Sequence, residues 1–237
     1  MTTLILGCGY LGRRVGRLLH RRGDRVLGTA RSPARAAELP AWGIEPVLAD
    51  VLDPASLDRL PEADRIFYSV GFDRSAGVSM RHVYLDGLRC VLDHLHPGVH
   101  RLVYASSTGV YGQDDGGWVD EEAPTEPRHE SGRVVLEAER LLRASARVPV
   151  ILLRFAGLYG PGRIVRRAAV AAGEPIPGDP RRFLNLIHIE DAASAAVAAL
   201  ERGEPEQVYN ISDDRPVERG EYYERLTELI GAPPPRF

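Results

Sequence analysis

Three glycines stand at the spacing G-x-G-x-x-G in Gly7-Cys8-Gly9-Tyr10-Leu11-Gly12. That spacing suits one task, baring backbone N–H groups to an anion. Gly7 permits a tight turn, Gly9 lets main chain approach a pyrophosphate, and Gly12 lets the following helix sit close on the preceding strand. Tyr10 and Leu11 then fall where a helix begins, with its unpaired N–H groups facing the same anion. The bland alternative is a glycine turn that only packs helix on strand. An apolar run precedes the motif (Thr2–Leu6) and a second strand ends at Thr29-Ala30-Arg31. Together they close a βαβ unit of about 30 residues, the context in which the motif binds a dinucleotide.

The end of the second strand bears on which dinucleotide. A carboxylate ~20 residues beyond the glycines accepts from a ribose 2′-OH. The window Leu27–Ser32 has no acid and offers Arg31 and Ser32, with Arg35 one turn on. A 2′-phosphate carries about −1.5 to −2 charges and suits a bidentate arginine, so NADP is expected rather than NAD. The competing reading makes Arg31 one solvated surface residue among many.

Composition narrows the classes. The chain has 237 residues, a net charge of −3 and a pI near 6.2. No global basic field invites nucleic acid or an anionic membrane. No apolar run reaches the ~20 residues that span a bilayer. The N-terminus enters a strand without signal-peptide character. The two cysteines, Cys8 and Cys90, make no disulfide framework, which points to a reducing cytoplasm. Cys8 reads either as a reactive thiol at a helix N-terminus or as a small residue tolerated in the turn. His94 and His96 have no partners at metal-ligand spacing.

Positioning these groups requires strands and helices in alternation. Further strands are expected at Ile44–Ala49, Arg65–Ser69, Arg101–Ala105 and Val150–Phe155. Helices are expected at Gly9–Arg22, Pro33–Leu39, Asp53–Leu60, Val78–His94 and Ser131–Ala146. Right-handed crossovers then give an α/β fold, a doubly wound parallel sheet of the Rossmann type, with ligands beyond the strands' carboxyl ends. There Asp50 could accept from an adenine amino group while Val51 packs on the ring, or Asp50 could serve a helix start. Ser69-Val70-Gly71 would let backbone approach the cofactor. Residues 112–128 form a polar Gly/Pro-rich loop too long for a plain connection. Beyond residue 157 the pattern loosens into helices at Arg163–Ala172, Glu190–Arg202 and Val217–Ile230, with strands at Leu184–His188 and Val208–Ile211. This reads as a small C-terminal substrate-side lobe within a single domain of 1–237. Ala232–Phe237 reads as linker-like, and the lobe as shortened.

Three segments carry a family likeness: Leu102–Gly112 (LVYASSTGVYG), Arg154–Gly162 (RFAGLYGPG) and His188–Ala193 (HIEDAA). In this order behind a glycine turn, the chain resembles the extended short-chain dehydrogenase/reductase family, also called the NAD-dependent epimerase/dehydratase family. The resemblance implies a nicotinamide cofactor and a hydroxyl or carbonyl substrate carbon, often on a nucleotide-linked sugar. It also implies a Ser, a Tyr acting as general acid/base, and a Lys four residues after the Tyr that lowers its pKa. The serine maps onto Ser107. The Tyr and Lys positions fall on Ser131 and Val135, and neither can do that work. The family's first glycine falls at Leu6. These departures are similar to those of atypical members that keep the cofactor fold without the catalytic pair.

His129, Tyr111 and Tyr159 are the candidate replacements for the proton donor, and Arg133 could only bind or stabilise an anion. Asp191 reads as a helix-start residue. Ser107 lacks the G-x-S-x-G turn of a hydrolase nucleophile. Two functions follow: an NADP-binding oxidoreductase or epimerase-like enzyme on a small-molecule substrate, or a non-catalytic dinucleotide sensor. The helices Val78–His94 and Ser131–Ala146 could pair two copies or simply cover their own sheet, leaving monomer and homodimer both open.

Overall fold

The computed structural model describes residues 1–237. Its amino-terminal half runs β1 (Thr2–Leu6), α1 (Gly12–Arg21), β2 (Arg25–Ala30), α2 (Pro33–Glu38), β3 (Glu45–Leu48), α3 (Pro54–Leu57), β4 (Arg65–Tyr68) and α4 (Gly87–Asp93). Next come β5 (Arg101–Ser107), α5 (Glu130–Ser145), β6 (Val150–Phe155), β7 (Gly157–Tyr159) and α6 (Arg167–Ala171). The chain finishes with β8 (Phe183–Leu184), β9 (Leu186–His188), α7 (Ile189–Arg202), β10 (Val208–Ile211), β11 (Val217–Glu218) and α8 (Arg219–Ile230). Seven strands form one parallel sheet in the order β3-β2-β1-β4-β5-β6-β10. The order reverses between β1 and β4, which opens a crevice at the carboxyl edge there.

Strand alternation assigns each face its helices. Leu4, Ile66, Leu102 and Leu152 point to one side, against Leu88 of α4 and Ala138 and Leu142 of α5. Ile5, Phe67, Val103 and Ile151 point to the other, against Val15 and Leu19 of α1 and the alanines of α7. Each such side chain, nearly free of solvent, contributes roughly 1.5–3 kcal/mol. The amino edge of the sheet is closed by arginines. Arg65 donates to Thr3 Oγ1 at 3.0 Å and to the Leu200 carbonyl at 3.3 Å, and Arg101 donates to the Ala199 and Leu200 carbonyls at 3.2 and 3.0 Å. These are carbonyls near the C-terminal end of α7, where positive charge is favoured.

The last third of the chain divides. Helix α7 and β10 complete the main sheet, while Val170, Ile176, Tyr223 and Leu226 make a separate small core under α6 and α8. Residues 232–237 dock on that small core instead of forming a linker. Ile176 N–H donates to the Arg236 carbonyl at 2.7 Å, and the Phe237 ring lies 6.2 Å from that of Tyr223.

Several expected elements come out shorter. The helix expected from Arg163 begins only at Arg167, because Arg163 bridges back to Gly160 and Arg166 is left-handed at φ 54°. The strand expected over Leu184–His188 divides between two small sheets, β8 pairing β11 and β9 pairing β7. The helix expected over Val78–His94 contains a wide π-type turn at His82–Asp86 ahead of α4. Residues 112–128 hold no helix or strand. No helix is long and apolar enough to cross a membrane.

Candidate functional site

The glycine turn lies at the carboxyl end of β1, at the crevice. Gly7 has φ 91°, and a Cβ there would stand 2.7 Å from the backbone of Ser69 and Val70. A Cβ on Gly12 would collide with the Gly7 carbonyl oxygen and come within 3.0 Å of Ser69 Oγ. Gly9 differs: nothing lies within 4 Å of where its Cβ would be. No protein acceptor takes the N–H of Tyr10, Leu11 or Gly12, and the N-cap position of α1, Leu11, has no capping side chain. Three donors are therefore unpaired in a turn that is open at Gly9, a fit for a pyrophosphate.

The neighbours fix this turn. Gly7 N–H donates to Thr29 Oγ1 at 3.0 Å, and Ser69 Oγ donates to the Gly7 carbonyl at 2.9 Å. The Tyr10 hydroxyl donates to the Pro161 carbonyl, just beyond β7, at 3.1 Å, with the Arg14 guanidinium 4.3 Å over its ring. Burial pushes the Cys8 thiol up to about 12, against a smaller opposite effect of its Thr29 contact. Cys8 is thus a small turn residue and not an activated thiol.

At the end of β2, Ser32 caps α2 by accepting the Arg35 N–H at 3.4 Å, and Arg35 pairs with Glu38 at 3.2 Å. Arg31 is exposed and meets Asp73 at 3.4 Å. At the end of β3, Asp50 Oδ1 accepts the Leu52 N–H at 3.0 Å, leaving Oδ2 unengaged. Val51 is buried beneath α4, 2.8 Å from where a Gly87 Cβ would be. Val70 packs against the same core, and Gly71 has open space around it.

The serine turn caps β5. Ser107 Oγ accepts the Gly109 N–H at 3.1 Å, leaving its own proton free to donate. Ser106, facing the opposite side of the sheet, donates to the buried carboxylate of Glu139 on α5. Glu139 forms a bidentate pair with Arg154 of β6 at 3.0 and 2.8 Å, and Arg154 donates to the Tyr111 hydroxyl at 2.8 Å. Tyr111 in turn donates to Asn210 Oδ1 at 2.9 Å. Burial opposes the Arg154 charge, but the bonds and charge of Glu139 outweigh it and hold its pKa above the usual value. The network also pins the 112–128 loop, because Asn210 N–H donates to Glu121 at 2.6 Å.

Helix α5 is pressed onto this turn: a Cβ on Gly132 would collide with the Gly109 carbonyl. Ser131 is exposed and its hydroxyl makes no hydrogen bond. Val135 is buried with Val110 and Leu136, flanked by Met80, Tyr84 and Tyr111. All 30 basic residues of the chain are arginine, so no lysine from elsewhere in it can supply an ammonium. None of the candidate replacements bonds to Ser107. His129 is exposed and unpartnered, and Tyr111 is committed to Arg154 and Asn210. Arg133 meets Glu130 at 3.2 Å and the Arg128 carbonyl at 3.1 Å. Tyr159 stands edge-on to His188 at 5.3 Å, and burial, then the Asp213 charge, raise its pKa. His188 itself caps α7 through Nδ1, which accepts the Glu190 N–H at 3.4 Å, and Asp191 lies in the first turn of that helix. His94 and His96 pair with Asp58 at 3.3 Å and Glu62 at 3.1 Å.

Sequence reasoning missed Glu139, Arg154, His188 and Asp73. Of these only Arg154 carried a clear signal, a single charge within the apolar run Val150–Phe155, where a charge is buried only if paired.

Comparison with known proteins fits this geometry. The profile of the NAD dependent epimerase/dehydratase family matches residues 3–212. Protein YeeZ of Escherichia coli strain K12 is 34% identical over 241 residues, covering 98% of this chain and 85% of its own. Short-chain dehydrogenase/reductase family 42E member 1 of Mus musculus is 29% identical over 272 residues, covering 97% and 68%. Among solved structures, MoeE5 in complex with UDP-glucose and NAD superposes with a TM-score of 0.80 at 25% identity, covering 99% of this chain and 83% of that one.

Proposed function

The chain belongs to the NAD dependent epimerase/dehydratase family, and on that ground we propose that it is an NADP-binding oxidoreductase or epimerase-like enzyme acting at a hydroxyl or carbonyl carbon of a small molecule. The observation that carries this reading is the set of three unpaired amides at Tyr10, Leu11 and Gly12 beside the open side of Gly9. They would take the pyrophosphate, Arg31 would take the 2′-phosphate, and Asp50, Ser69, Val70 and Gly71 would border the adenosine. A nicotinamide held there supplies a hydride donor or acceptor. Ser107, with its proton free, would orient the substrate oxygen. The NAD and UDP-glucose of MoeE5 support the dinucleotide and make sugar nucleotides the first substrates to try.

Calorimetric titration with NADP and NAD, followed by NADPH oxidation assays on sugar nucleotides and small carbonyls, tests the reading. NADP should bind more tightly than NAD, and Ser107→Ala should lower turnover while leaving cofactor binding intact. Failure to bind either dinucleotide refutes it.

A second reading has its own support. Val135 sits in an apolar cluster where the family has its lysine, and the chain has no lysine at all. A non-catalytic dinucleotide sensor would bind NADP, turn over none of these substrates, and be indifferent to Ser107→Ala.

A further inference from the structure

Strands β2 and β4 flank β1, and an ion pair joins the segments after them across its carboxyl end. Arg31 directly follows β2, and Asp73 lies on the connection from β4 to the π-type turn; they meet at 3.4 Å. Both segments are tied to the glycine turn. Thr29, two residues before Arg31, holds the Gly7 N–H at 3.0 Å, and Ser69, four residues before Asp73, holds the Gly7 carbonyl at 2.9 Å. The pair thus bridges the two segments that hold the cradle and its unpaired amides.

The two oxygens of Asp73 have separate partners. Oδ1 accepts from Ser75 N–H at 2.9 Å and from Ser75 Oγ at 2.6 Å, while Oδ2 faces Arg31. The Ser75 bonds chiefly, and Arg31 to a smaller degree, hold this carboxyl below the usual carboxylate range. It is therefore an anchored anion at neutral pH and not a wandering surface acid.

We infer that Asp73 is a specificity-determining residue for the adenosine end of the cofactor and acts through Arg31, an inference that rests on the dinucleotide reading above. A 2′-phosphate gains the guanidinium only by breaking the pair. It then leaves the freed carboxylate beside about −1.5 to −2 charges. A 2′-OH meets neither cost, and it can donate to a carboxylate. Asp73 thus narrows the preference for NADP that Arg31 creates. Both side chains are half in solvent, so the effect is a few-fold one that weakens with salt.

Asp73→Asn is the discriminating variant. Its amide oxygen can still receive Ser75, preserving the turn, while a donor replaces the oxygen that faced Arg31. NADP and NAD, which differ only in the 2′-phosphate, are titrated calorimetrically at low salt into the wild type, Asp73→Asn, Arg31→Ala and the double variant. Asp73→Asn should raise the NADP-to-NAD affinity ratio about three- to fivefold. In the Arg31→Ala background the same change should move it less than about twofold, as coupled neighbours require. A ratio that stays fixed, or rises equally in both backgrounds, overturns the role of Asp73 and leaves the dinucleotide reading standing. A wild type that binds neither dinucleotide overturns both.

Discussion

The glycine turn after β1 and the serine turn after β5 lie on the same edge of one sheet, yet they are built by opposite means. The glycine turn is shaped by backbone contact: Gly7 and Gly12 have no room for a Cβ, and its free donors are main-chain amides. The serine turn is shaped by side chains, the Glu139–Arg154 pair and the Val110–Val135–Leu136 cluster, to both of which α5 contributes. A site made of main chain keeps its chemistry whatever side chains surround it. A site made of side chains can lose its acid/base pair in two substitutions, and an apolar cluster fills the place without disturbing the helix that presents it.

That contrast can be broken most forcefully at the buried pair. Glu139→Gln leaves the Arg154 charge buried without its carboxylate and should cost about 3–5 kcal/mol of stability, read from urea unfolding. A loss below about 1 kcal/mol would mean that the pair does not brace the serine turn.

Next in size is a pair of substitutions within the glycine turn. Gly12→Ala forces a methyl into the Gly7 carbonyl and should cost about 1–3 kcal/mol. Gly9→Ala enters open space and should leave stability within about 0.5 kcal/mol. Its methyl would nevertheless occupy the pyrophosphate position, so NADP affinity should fall at least about tenfold, a loss of about 1.4 kcal/mol. Equal stability losses for the two variants would contradict the division of labour between these glycines.

The smallest effect concerns pH. The Cys8 thiol is pushed up to about 12 from 9.0 by burial. The unfolded chain therefore releases this proton first, and stability falls as pH rises above about 9, while below that the contribution is fully present. Cys8→Ala should flatten the decline of the unfolding midpoint between about pH 8.5 and 10. An unchanged decline would assign it to other groups.

Much of this was legible before any coordinates. Alternating apolar residues declare six of the seven sheet strands in the first two thirds, and the glycine spacing declares the cradle, because both are local patterns. The departures come from contacts between distant residues. Nothing near Arg163 announces that it pairs back with Gly160 and delays α6. Nothing near Val51 announces that Gly87 of α4, more than thirty residues later, covers it. Asp73 reads as an ordinary loop acid until the sheet order brings it opposite Arg31. The lack of lysine was visible throughout and closes the question of a displaced ammonium within the chain.

The arginines at the amino edge have a mechanical consequence. Arg65 and Arg101 grip the Ala199 and Leu200 carbonyls, and β5 runs beside β6 over six paired residues, so segments on both sides of the irregular 112–128 stretch are interleaved. A protease that nicks this stretch would divide the polypeptide without parting the particle: two bands under denaturing electrophoresis, one peak on a sizing column.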